Sequence, residues 1–137
     1  MTCSSCSSTI DQFGANPANI QWSVVRGDTA KMRIEFFENN ETTEYDTDGW
    51  VYEATVYNPT TNLTESLSVL SGDGYVDIIA SANLTENWGT GYSNIVAELP
   101  FDLQVTIPAE GSGIEDTIWT PVIGTISVIA DITPGGL

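Results

Sequence analysis

From residue 21 onward the apolar side chains recur at every second position. In residues 29–37, Ala30, Met32, Ile34 and Phe36 fall on one side, and Thr29, Lys31, Arg33 and Glu35 on the other. A period of two marks a half-buried strand. WVYEATVY at 50–57 sets Trp50, Tyr52, Ala54 and Val56 on one face. Leu67 and Val69 mark a third strand, ended by the turn Ser71-Gly72-Asp73-Gly74, and Val76 and Ile78 mark a fourth. Ile95, Ala97 and Leu99 give a fifth. Leu103, Val105 and Ile107 follow, but Pro100 and Pro108 confine that stretch to an edge or bent strand, because proline cannot donate to a ladder. Residues 118–122 are a further short candidate. Ile126, Val128, Ala130 and Ile132 give the last, closed by Pro134-Gly135-Gly136. The polar segment SANLTENWGTGY reads as a short helical turn or loop, and nothing reads as a long amphipathic helix.

Short strands separated by turn signals every ~8–12 residues predict an all-β domain. The expected architecture is an antiparallel β-sandwich of about seven or eight strands over residues 21–137. Its core should include Trp22, Met32, Ile34, Phe36, Val56, Val76, Ile78, Val128 and Ala130, by their period-two placement. Residues 1–20 differ. MTCSSCSSTIDQFGANPANI is polar and small, with Ile10, Phe13 and Ile20 as its sizeable apolar side chains and Asp11 as its one carboxylate. It reads as an extended N-terminal arm for assembly, whose three anchors would dock in apolar grooves of a neighbour.

The length of 137 residues fits one domain. Charge narrows the function. Nineteen carboxylates face three basic side chains, Arg26, Lys31 and Arg33, for a net charge of −16. Phosphate backbones are held by lysine and arginine, so nucleic acid is excluded as a partner, and anionic membrane surfaces are disfavoured for the same reason. No apolar run approaches the ~20 residues of a membrane span. The N-terminus MTCSSCSSTIDQ has neither a basic n-region nor an apolar h-region, which predicts folding in a cytosol. The two cysteines, Cys3 and Cys6, both lie in the arm, so no disulfide framework staples the domain.

Three segments carry a family resemblance. VVRGDTAKMRIEF resembles the strand-opening pattern of small structural modules of tailed bacteriophages, in which Gly-Asp-Thr begins an alternating strand. ASANLTENWGTGY followed by IVAEL is similar to their helical turn, glycine and return strand, and WTPVIGTISVIADITPG to their closing strand. The family is the immunoglobulin-like sandwich at the N-terminus of phage upper baseplate proteins, with related single-domain virion proteins. The resemblance covers residues 21–134 and leaves out the arm. It implies an immunoglobulin-like fold and a non-enzymatic role as a peripheral decoration or attachment module. Its partners would be other virion proteins of the capsid, neck, tail or baseplate, in many copies or as a homo-oligomer. Its location would be the virion, after synthesis in the bacterial host cytoplasm. With the resemblance ending at the sandwich, no fibre or receptor-binding part is expected after it. The alternative from another class is a secreted adhesion or carbohydrate-binding β-sandwich, against which the expectation of a cytosolic, leaderless chain argues; an acid-pair hydrolase is a third.

The remaining motifs have plain readings. Arg26-Gly27-Asp28 has the composition of an adhesion tripeptide, but glycine and aspartate before an alternating strand are also what a turn requires. The turn reading expects the Asp28 carboxylate to cap it and Arg26 to be dispensable. Asn40, Asn62 and Asn83 open glycosylation sequons that have no use without secretion. Cys3 and Cys6 form a C-x-x-C, half of a Zn²⁺ site that two arms meeting at a symmetry axis could complete, or else free thiols. Asp46 and Asp48 with Glu44 resemble the first half of a Ca²⁺ loop, though the distal bidentate glutamate is missing and Asp-Gly is an ordinary hairpin turn. No cofactor is expected beyond these two possible metals. With no histidine there is no His-based triad or general base, and a hydrolase would need a carboxylate pair. Trp22, Trp50, Trp88 and Trp119 could form a sugar platform, but each also sits where a core or turn anchor is expected.

Overall fold

A computed structural model describes residues 17–36, 46–109, 113 and 115–132. The described chain is all-β apart from one short helix. Its elements are β1 (Ala18–Val25), β2 (Ala30–Glu35), β3 (Val51–Asn58), β4 (Leu63–Gly72), β5 (Tyr75–Ala80), α1 (Ala82–Thr85), β6 (Ile95–Ile107) and β7 (Thr117–Ile129). The seven strands form a mixed sheet in the order β1-β7-β6-β3-β4-β5-β2.

β4 turns the corner of this sheet. Its first half, Leu63–Leu67, pairs with β3, and its second half, Ser68–Gly72, pairs with β5. Five strands therefore lie on one side of the bend and β5 and β2 on the other, curling the sheet nearly closed like a barrel. The inward positions meet in one core. Val56, Val76, Ile78, Leu99, Leu103, Val105, Ile126 and Val128 are fully buried there. Of the core expected from the sequence, Trp22, Phe36, Val56, Val76, Ile78 and Val128 are buried, while Met32 and Ile34 pack against it from the edge strand β2. Ala130 lies just past the end of β7 and is half-buried.

Three features depart from the sequence expectation. The pairing is not wholly antiparallel: β1 runs parallel to β7, with Ala18 opposite Val122 and Val25 opposite Ile129. The reason is topological, since first and last strands can pair in either sense when no tight turn joins them. Second, strand structure starts at Ala18, inside the stretch assigned to the arm. Ile20 packs partly against the protein's own core and is not a free anchor. Third, residues 95–99 and 103–107, expected as separate strands with the second at an edge or bent, form one strand, β6, which runs through Pro100 inside the sheet between β3 and β7. Pro100 lies one residue beyond the β3–β6 ladder, which stops at Phe101, so no donor is missed on that side. Pro121 falls at a register shift between β6 and β7, the kind of irregularity that accommodates proline.

Candidate ligand cleft on the five-stranded face

Alternation places every second residue of β3, β6 and β7 on the outside of the five-stranded part. Thr55 and Tyr57 flank buried Val56, and Pro100 and Asp102 flank buried Phe101. Cross-strand register then lines these residues up. Asn19, Ile123, Asp102 and Thr55 are successive partners across β1, β7, β6 and β3. Beside this row, Thr125 faces Pro100, and Tyr57 faces Thr64. Together they line a shallow cleft of about 470 Å³.

The walls mix two chemistries. Tyr57, Pro100 and Ile123 give apolar surface, with Tyr57 and Ile123 each 38% exposed. The Tyr57 ring is fixed from its far end, where its hydroxyl donates to Asn62 Oδ1 at 3.0 Å. Thr55, Thr64, Thr125, Asn19 and Asp102 supply the polar groups. Partial burial, with Glu53 nearby, pushes the Asp102 carboxyl above the ordinary aspartate range. Glu53 does not itself line the cleft.

No lysine or arginine lines this cleft. Arg26 Nε donates to Asp131 Oδ1 at 2.8 Å, and the guanidinium also donates to the carbonyls of Gly89 and Gly91. Arg33 makes a two-pronged contact with Asp77, at 2.8 and 3.1 Å, and stacks over the Tyr75 ring. Lys31 Nζ lies 3.6 Å from the same Asp77. All three basic side chains of the chain are thus paired within the protein, away from the cleft.

The Arg-Gly-Asp tripeptide is a turn, held differently from the expectation. Gly27 has φ +86°, and its N–H donates to Thr85 Oγ1 at 3.0 Å. The Asp28 N–H donates to the Val25 carbonyl. Backbone groups and Thr85 therefore close the turn, not the Asp28 carboxylate. Arg26 is the tied side chain, only 12% exposed, so it cannot be offered to a receptor.

Of the other residues singled out, Cys3, Cys6, Ile10 and Phe13 lie outside the described residues, as do Asn40 and Glu44. Asp46 and Asp48 share a loop before β3, where Asp46 Oδ1 accepts from the Asp48 N–H at 3.1 Å. Among the described residues, no group of three or more acidic, cysteine or histidine side chains is placed to hold a metal ion. Asn62 holds its turn with φ +60°, and Asn83 is exposed on α1. No tryptophan lines the cleft. Trp22 and Trp88 are buried, and Trp50 and Trp119 pack around Phe36 at centroid distances of 5.5 and 6.1 Å. The cleft residues Tyr57, Asp102 and Thr125 carry no motif. Their only signal in the sequence is that each stands at an outward position beside a buried one.

No model of a known protein family matches this chain, and no curated protein matches it either.

Proposed function

We propose that this protein is a non-enzymatic structural module of a tailed-bacteriophage virion, a peripheral decoration or attachment protein built on an immunoglobulin-like sandwich. The supporting observation is the strand order. In immunoglobulin sandwiches strands C, F and G adjoin in one layer, and B, E and D in the other. Here β3, β6 and β7 adjoin in the first order, and β2, β5 and β4 in the second. β1 has left the β2 edge for the β7 edge. This order agrees with the fold that the three resembling segments imply.

Site chemistry favours binding over catalysis. Among the described residues one carboxylate, Asp102, lines the cleft, whereas glycoside hydrolysis commonly uses two flanking the scissile bond. The chain has no histidine to serve as a general base. A role in attachment needs only stable exposed faces, which the sheet offers. The partners are then capsid, neck, tail or baseplate proteins, met in multiple copies. Mass spectrometry of purified particles tests this. Recovery at fixed stoichiometry is expected, and copy number separates capsid decoration from attachment at the tail. Absence from particles overturns it.

A further inference from the structure

We infer that the cleft between Tyr57, Pro100, Asp102 and Thr125 is a binding site for a neutral saccharide. This does not depend on the virion assignment; it rests on the chemistry of the walls.

Charge removes most ligand classes. No basic side chain lines the cleft, and the three in the chain are paired with Asp131 and Asp77. Asp102 stands in the wall of a protein of net charge −16. Phosphates, sulfates, acidic sugars and acidic peptides would all meet repulsion with nothing to offset it.

Hydrogen-bonding capacity selects among the rest. The hydroxyls of Thr55, Thr64 and Thr125 each donate and accept, and the ionised Asp102 accepts only. Adjacent sugar hydroxyls have the same double capacity and can serve both kinds of group. A carboxylate accepting from two neighbouring hydroxyls makes charge-assisted bonds, which are stronger than neutral ones. The apolar walls supply the other half of the match. A pyranose ring presents a C–H face, and the partly exposed Tyr57 ring, which lines the cleft with Pro100 and Ile123, supplies aromatic and apolar surface for it. The hydrogen bond from the Tyr57 hydroxyl to Asn62 orients that ring before any ligand arrives, which limits the ordering cost of binding. The cleft volume of about 470 Å³ lies in the range of small-molecule sites. Its shallowness suits one or two residues of a longer glycan rather than an enclosed monosaccharide.

The test is a titration of isotope-labelled protein, followed by amide and methyl NMR. The probes are maltotetraose, cellotetraose, mannotetraose and chitotetraose, each up to about 10 mM, an affinity range typical of weak sites. Polylysine is the charge control. At least one oligosaccharide should shift Thr55, Tyr57, Asp102, Ile123 and Thr125 together, with an affinity that does not change with salt. Tyr57→Ala should abolish the shifts. Asp102→Asn, which keeps the side-chain shape, should weaken binding several-fold while leaving the spectrum folded. Absence of cleft shifts with all four sugars overturns the proposal. So does binding unaffected by either substitution, or binding by polylysine alone that salt abolishes.

Discussion

Arg26 Nε donates to Asp131 Oδ1 at 2.8 Å, joining the β1–β2 turn to the segment just past β7 across 105 positions of sequence. The two side chains are 12% and 15% exposed. The same guanidinium reaches the carbonyls of Gly89 and Gly91 and lies 5.7 Å from the Tyr92 ring centre. One side chain thus ties three separate segments. Arg26→Ala should cost about 2 kcal/mol, since it removes charged hydrogen bonds and leaves a partly buried carboxylate without this partner. Asp28→Ala should stay within about 0.5 kcal/mol, as expected for a side chain outside such a network. Urea denaturation of both variants checks this, and equal losses would refute the tie.

Thr85 is the buried counterpart of that turn. Its Oγ1 accepts from the Gly27 N–H at 3.0 Å and lies 2.8 Å from the Asp28 carbonyl, to which it donates. Thr85→Val keeps the shape and removes the hydroxyl, stranding a buried N–H. The expected loss is about 1–3 kcal/mol. Thr85→Ser, which restores the oxygen, should recover most of it. If valine and serine are equally stable, the hydroxyl does not hold the turn.

These two cases show where the sequence is legible. Gly27 before an alternating strand announces a turn, because glycine alone adopts φ near +86° without strain. Nothing local names Asp131 or Thr85 as the partners. The same division runs through the fold. Met32, Ile34, Val56, Val76, Ile78 and Val128 are readable as inward residues from period two alone. β1 is harder to read, since Ala18 and Asn19 are small or polar and its burial comes from β7. Pro100 looks like a break, and only the end of the β3–β6 ladder explains why it is tolerated. The cleft is least legible, because Thr55, Asp102 and Ile123 become neighbours solely through register.

Gly124 marks how closely β1 lies on β7. A Cβ there would run into the Ile20 carbonyl oxygen and come within 2.8 Å of the Phe101 ring. The first obstacle is backbone and cannot swing aside. Gly124→Ala should therefore push β1 away from β7, at about 1–3 kcal/mol, the usual range for overpacking. Hydrogen exchange should show the loss concentrated in residues 18–25. Unchanged protection there would mean that the β1–β7 pairing takes up the methyl group without loosening.

Two aspartates should respond to pH in opposite senses. Arg33, by its hydrogen bonds to Asp77, holds that carboxyl below the ordinary aspartate range. A depressed folded value stabilises the protein above the unfolded value of about 3.9, and the benefit is lost as pH falls through the folded one. Asp102 is the reverse. Burial and Glu53 raise its value, so the fold is favoured below the unfolded value and loses that contribution as pH climbs through the raised one. Asp77→Asn should accordingly lower the melting temperature at pH 7, with the deficit shrinking in acid as the wild-type Asp77 carboxylate is protonated. Asp102→Asn should raise the melting temperature at pH 7, with the gain fading as pH falls through the unfolded aspartate value of about 3.9 and wild-type Asp102 becomes neutral in both states. Melting curves at steps between pH 3 and pH 8 separate the two cases. An Asp102→Asn variant less stable than wild type at neutral pH would show that the carboxylate is held favourably, and would remove the basis for treating it as an acceptor left open to a ligand.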